Sequence, residues 1–277
     1  MAVGVTVQLW GLRLKGFRMI EKNVVIMPCL DMQNGRVVKG VRFVDIRDAG
    51  DPVECCAAYC KAGADAIAML DITATVEGRA TLLDVVKRVA AVATVPFTVG
   101  GGISDTRSAA AVLNAGADKI STSSAAFRKP AAIREMIDEF GAERVTVAID
   151  AAQNPKMPSG YEVYIDGGRT ATGTDAVEWT KTVACFGVGT ILPTSKSTDG
   201  VRDGYDLPLI RKIKAVTSAD VVASGGAGKL EHFLAAVEAG AAVLLAASVF
   251  HFNIIGISEL KAYLHEHGIP VEQSEDV

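Results

Sequence analysis

The sequence predicts a (β/α)8 barrel made of two similar halves. Three observations carry this. The chain has 277 residues, close to the roughly 250 that one such barrel uses. Short β-branched runs alternate with longer helical patterns, as in parallel βα units. One glycine- and serine-bearing segment occurs twice at a constant offset of 124 residues, pairing Gly101 with Gly225, Gly102 with Gly226, Gly116 with Gly240 and Ser124 with Ser248.

In chain order, strands are predicted over 24–30, 64–70, 97–100, 119–122, 145–150, 188–192, 221–223 and 242–246. Helices are predicted between them, over 52–62, 81–92, 106–115, 131–140, 176–186, 207–216, 230–239 and 258–266. Runs such as VVIMPCL and VVASGG are almost continuously apolar, as strands covered on both faces must be. A doubly wound open sheet would show fewer units and one dominant glycine-rich turn. The repeat gives the organisation: an extension over 1–23, a barrel over 24–271 with halves of about 24–143 and 144–271, and a tail over 272–277.

Hydrophobic residues make up 49% of the chain and the formal net charge is −4. The basic residues are scattered, which leaves no footprint for nucleic acid. Apolar stretches such as 239–252 are too short to span a bilayer and are broken by Gly240 and His251. The first 22 residues lack both the leading charge and the cleavage site of a signal peptide. Five cysteines, Cys29, Cys55, Cys56, Cys60 and Cys185, follow no disulfide framework, so a cytoplasmic protein with reduced thiols is expected. Cys56 and Cys60 lie one helical turn apart, but no further ligand stands nearby. No metal or cofactor is predicted.

The repeats carry the chemistry. A strand ending in Gly-Gly lets a ligand approach the backbone and exposes N–H groups. Small residues after the next strand then open a short helix that can hold an anion. One phosphate site is expected at Gly226, Ala247 and Ser248, and its copy at Gly102 and Ser124. Tight strand-to-helix turns would explain one glycine pair; two in register favour a ligand with a phosphate at each end. CLDMQNG and AIDAAQN place Asp31 opposite Asp150, each at the end of a strand. A lone Asp there caps a turn. A symmetric pair between two phosphate sites points to a general acid and a general base. None of the four histidines falls at a strand end, and no nucleophile–histidine arrangement stands out.

Several motifs are specific: CLDMQNGRVVKG, RDAGDPVE, LDITAT, FTVGGGI, GADKIS, AIDA, DGYD, ASGGAGKLEHF and AASVFHF. Through them the chain, over about 24–271, resembles the cyclase subunit of imidazole glycerol phosphate synthase. The resemblance implies a bisphosphorylated ribulosyl-formimino carboxamide nucleotide as substrate. It implies ammonia from a separate glutaminase subunit, and imidazole glycerol phosphate and an aminoimidazole carboxamide ribotide as products. Asp31 and Asp150 match the family's acid/base pair and Lys39 the lysine of its first loop. Gly102 and Ser124 match one phosphate site; Gly200, Gly226, Ala247 and Ser248 match the other. Asp71, Thr194, Asp199 and Ser224 match further substrate contacts.

Departures are equally specific. Ser197 replaces one of two aspartates after the sixth barrel strand, and Pro193 is expected at that strand's end, where it removes an N–H donor. Ser123 stands where the family carries Asn. The charged ring that closes the family's ammonia entrance aligns with Val25, Ala66, Lys119 and Thr190, of which only the lysine is charged. Lys119 is expected at the N-terminal end of the fourth barrel strand, with Asp65 and Asp118 as candidate partners or with its ammonium reaching solvent. Two other activities fit the same plan. One is a diverged paralogue using free ammonia on a related phosphorylated substrate; the other is the half-barrel sugar isomerase of the same pathway.

Overall fold

The computed structural model describes residues 22–41, 44–77 and 81–272. Its first half runs β1 (Val25–Gln33), β2 (Arg36–Val41), β3 (Val44–Gly50), α1 (Pro52–Lys61), β4 (Ile67–Asp71), α2 (Ala74–Glu77), α3 (Leu83–Ala90), β5 (Phe97–Gly100), α4 (Thr106–Asn114), β6 (Lys119–Thr122), α5 (Ser124–Arg128) and α6 (Ala131–Phe140). A short 3-10 turn, Ala142–Arg144, leads into the second. That half runs β7 (Val145–Gln153), β8 (Tyr161–Ile165), β9 (Thr170–Asp175), α7 (Ala176–Cys185), β10 (Thr190–Ser195), α8 (Leu207–Lys214), β11 (Asp220–Ala223), α9 (Leu230–Glu238), β12 (Val243–Ala246), α10 (Ser248–His251) and α11 (Ile257–Glu266).

Eight of these strands, β1, β4, β5, β6, β7, β10, β11 and β12, pair in parallel and close into the predicted barrel. Closure runs from Val25↔Val243 to Pro28↔Ala246, whereas β4 pairs further along β1, from Cys29↔Ala68 to Met32↔Asp71. That stagger is the shear a closed barrel requires. The alternation of strand side chains sorts the core into two. Ile26 and Leu30 face the surrounding helices; Met27 and Cys29 join Ala68, Leu192, Val222 and Leu245 inside the lumen. Asp31 continues the inward series of β1, and Asp150 that of β7.

The sequence reading needs correction in three places. It placed no strands at 36–50 or 161–175, where each half inserts an antiparallel hairpin, β2–β3 and β8–β9. Asp31 and Asp150 therefore do not end their strands. Asp31 pairs in register with Leu70 and Asp150 with Tyr164, and both strands run on to feed the hairpins. Pro193 also lies inside β10, in register with Ile149. Pairing of β10 with β11 lapses between Ile191 and Thr194, where proline brings no N–H.

At the N-terminal end of the barrel, Lys261 of α11 forms a buried ion pair with Asp65, whose other oxygen accepts the N–H of Ile26 at 2.8 Å. Burial raises the Asp65 pKa despite that pairing. The pair ties the last helix to the first strand. Of the predicted 1–23 extension only Lys22 and Asn23 fall within the described residues, as does Glu272 of the tail. No helix among the described residues is long and apolar enough to cross a membrane.

Candidate active site

The C-terminal rim of the barrel holds two cavities that meet at Leu70 and Ile72. One, of about 140 Å³, is lined by Asp31, Thr194, Asp199, Arg202, Gly226 and Ser248 among others. The second, of about 460 Å³, is lined by Asp71, Gly102, Ser124, Arg128 and Asp150 among others. Gly200, Ser224 and Ala247 line the first cavity and Ser123 the second. Asp31 and Asp150 thus each open onto the cavity whose glycines and serine come from the other half of the chain. Lys39 lies on β2, its backbone paired with Arg47; its side chain lies outside the described residues.

Glycine is required where backbone crosses backbone. A Cβ on Gly226, at φ +115°, would stand 2.1 Å from the carbonyl oxygen of Gly204. A Cβ on Gly101, at φ +97°, would stand 2.2 Å from that of Asp71. The repeated glycines hold the loops against one another as well as opening the rim. Gly204 donates its N–H to the carbonyl of Gly226 at 2.8 Å, and Thr198 donates its hydroxyl to that of Gly225 at 3.1 Å.

The two carboxylates have different surroundings. Asp31 accepts the Cys29 thiol at 3.2 Å. Asp150 has Ala148 at the corresponding inward position. Burial pushes its pKa up to about 6, against the pull of the Lys196 ammonium. An acid in that range exchanges protons readily near neutral pH. Lys196 is held over the ring of Tyr164, 3.8 Å from its centroid, in a cation–π contact.

The serines also differ. Ser124 accepts the N–H of Asp166 at 2.8 Å, and the Asp166 carboxylate pairs with Arg128 at 2.5 Å. The turn of the β8–β9 hairpin thereby lies over the cavity lined by Gly102 and Ser124, and Arg128 holds the Asp166 carboxyl below its usual range. Ser248 instead accepts from Arg202 Nε at 3.3 Å. Elsewhere at the rim Thr194 donates to Ser224 at 3.2 Å, and Asp71 accepts the N–H of Ala74 at 3.0 Å. Arg128, Asp166, Lys196 and Arg202 were not singled out from sequence as site residues. Arg202 carried one signal, since it follows Asp199-Gly200 by two positions.

A third cavity, of about 210 Å³, opens at the barrel floor. Lys119, Thr98, Thr146 and Thr190 line one side of it, Val25, Ala66, Val222 and Val243 the other, and Lys22, Asp65 and Asp220 line it as well. Lys119 begins β6, as the GADK turn predicts. Asp65 pairs with Lys261, and Asp118 accepts the N–H of Phe97 at 2.8 Å, so neither carboxylate is shown holding Lys119. Leu70 forms part of this cavity as well as of both rim cavities.

Residues 25–256 match the model of a family described as histidine biosynthesis protein. The chain belongs to that family. Membership of the histidine biosynthesis proteins makes it an enzyme of that pathway, and the matched residues take in both rim cavities and the floor. Among the described residues no group of three or more His, Cys, Asp or Glu is placed to hold a metal ion.

Proposed function

We propose that the chain is the cyclase subunit of imidazole glycerol phosphate synthase. It converts a bisphosphorylated ribulosyl-formimino carboxamide nucleotide and ammonia into imidazole glycerol phosphate and an aminoimidazole carboxamide ribotide. The two rim cavities take the two phosphates, at Gly102/Ser124 and at Gly200/Gly226/Ala247/Ser248. Asp31 and Asp150 stand between them as the acid/base pair. Lys39, on the first hairpin, corresponds to the first-loop lysine of the resembled family, and Asp71, Thr194, Asp199 and Ser224 supply further substrate contacts.

The observation that carries the cyclase over the sugar isomerase is the lumen. A floor cavity and both rim cavities share Leu70 as a wall. A reaction that consumes ammonia uses a route from floor to rim, whereas an isomerisation of one bound sugar has no second reactant to admit. The Lys22–Asp220 pair and Asp65 also line the floor cavity, but of the four positions aligned with the charged ring of the resembled family only Lys119 carries a charge. That supports entry of free ammonia, with a glutaminase partner contributing little to the rate.

The test is steady-state turnover of both pathway substrates, with and without ammonium salt, and with glutamine plus a glutaminase subunit. Ammonium-dependent cyclisation is expected, with weak glutamine-driven turnover. Isomerisation of the sugar substrate without ammonium would overturn the cyclase reading. Glutamine-driven rates equal to the ammonium rates would overturn the reading of the floor.

A further inference from the structure

Each rim cavity is lined by two carboxylates and one arginine among its described residues: Asp71, Asp150 and Arg128 in one, Asp31, Asp199 and Arg202 in the other. Two carboxylates repel a phosphate, so the cation in each cavity matters more than its count suggests. The repeat does not preserve where that cation comes from. At the offset of 124, Arg128 on α5 aligns with Phe252, next to α10. The arginine of the second-half cavity arrives instead from the loop after β10. Its guanidinium lies over the Phe252 ring, 5.7 Å from the centroid, and its Nε donates to Ser248. Arg202 also adopts φ +69°, a left-handed conformation that costs a non-glycine residue energy. Its carbonyl sits where a Cβ on Gly228 would come within 2.0 Å, so the loop is packed in place. Arg128 is already paired with Asp166, while no carboxylate among the described residues pairs with Arg202.

We infer that Arg202 clamps the ligand phosphate in the second-half cavity and sets that cavity's preference for a dianionic group. This rests on the phosphate sites of the proposed function. Phe252, an exposed aromatic, supplies the platform that holds the guanidinium plane beside Ser248. The remaining guanidinium N–H groups are left to face the anion, in the forked geometry suited to phosphate. The exchange of a helix-borne arginine for a loop-borne one stacked on phenylalanine makes the two phosphate sites chemically distinct, so a bisphosphate ligand has a defined direction across the rim.

The test titrates inorganic phosphate into the full chain and follows the Ser248 and Ser124 amides by NMR. KM and kcat for the bisphosphate substrate are measured alongside. R202A and R202G should each weaken phosphate binding at Ser248 by roughly tenfold or more. Binding at Ser124 should stay unchanged, and KM should rise far more than kcat falls. R202K should recover part of the affinity, since it keeps the charge and loses the fork. F252A should show a smaller loss at the same site. Unchanged phosphate affinity in R202A and R202G would overturn the inference. So would a loss in R202A that R202G restores, because that assigns the effect to backbone strain. Phosphate failing to bind wild-type protein at either serine would instead sink the phosphate reading beneath it.

Discussion

The two halves of this barrel share a backbone plan and differ in how polar side chains fasten it. Both insert a hairpin after their first strand, and both place an inward aspartate, a glycine pair and a serine at the rim. In the second half the hairpin is bolted down. Tyr161 donates its hydroxyl to Asp206 at 2.7 Å, Ser195 donates to the other oxygen at 2.8 Å, and the Leu209 N–H caps α8 on the same carboxylate. The position aligned with Asp206 in the first half is Leu82, which gives α3 no side-chain cap. The second hairpin is thus fixed firmly enough to lay its turn over the cavity at Ser124. The repeat preserves where the rim aspartates, glycines and serines sit, while the fastenings decide over which cavity a hairpin turn is laid.

The sharpest break of the comparison is at the carboxylates. Asp31→Asn and Asp150→Asn should each lower kcat by at least about 10²-fold, the scale of losing a general acid or base. Substrate binding should change little. Near-normal turnover in either would remove that residue from the chemistry. The two should part in their effect on stability. Burial raises the folded-state pKa of Asp150 to about 6, above its unfolded value. Its ionised form is thus disfavoured in the folded chain. The penalty is full above about pH 6 and fades as pH falls towards the ordinary carboxylate range. Asp150→Asn should therefore raise Tm by about 2–4 °C at pH 8, for roughly 1 kcal/mol regained, and by less at pH 4. A thermal melt at both pH values checks this.

The next largest effect belongs to the Asp206 bolt. Asp206→Ala removes a cap and strands two buried hydroxyls, at a cost of about 2–4 kcal/mol, measurable by urea unfolding. Loss of less than about 1 kcal/mol would show that the second hairpin is held by its strand pairing alone, and the contrast with the first half would narrow.

What the sequence revealed follows the same division. The barrel was legible because it rests on periodicity: β-branched runs, helical stretches between them, and a glycine repeat in register. The inward direction of Asp31 and Asp150 was legible from the pairing of the halves. The hairpins were not. GRVVKG and YEVYID are short segments that mix polar and apolar residues, and in a βα reading such segments pass for loops after a strand. The cations were not legible either. Arg128 and Arg202 do not align with each other across the repeat, so a search for symmetry passes over both. Lys196 was not singled out, and its place over Tyr164 depends on the hairpin that was missed.

A smaller effect should separate the two rim cavities. Asp166→Asn takes a carboxylate away from Arg128. The pair is partly exposed, with side-chain accessibilities of 51% and 26%, so it is worth at most about 1 kcal/mol. Inorganic phosphate should then bind two- to fivefold tighter, roughly, at Ser124 and unchanged at Ser248. Weaker binding at Ser124 would mean that the Asp166 turn helps to hold the anion, and the description of one site as covered would fail.

The smallest expected change concerns Lys196, and it bears on the raised pKa of Asp150. The Lys196 ammonium pulls the Asp150 pKa down while burial pushes it up, and burial is the larger influence. Lys196→Met keeps most of the side-chain length against the turn at Gly168, where the lysine methylenes lie near the backbone. It removes the charge and its contact with the Tyr164 ring. The opposing pull is then gone, so the Asp150 pKa must rise above its present value of about 6. The kinetic sign depends on the role. If Asp150 must be ionised to accept a proton, the acidic limb of kcat moves to higher pH and activity at pH 6 falls. If it must be protonated to donate one, the basic limb moves up and activity at pH 7 increases. A pH–rate profile of Lys196→Met beside wild type therefore distinguishes base from acid at this position, with a displacement of roughly half a unit to one unit expected for one partly exposed charge. Both limbs staying in place would show that Lys196 does not act on Asp150, leaving its raised pKa to burial alone.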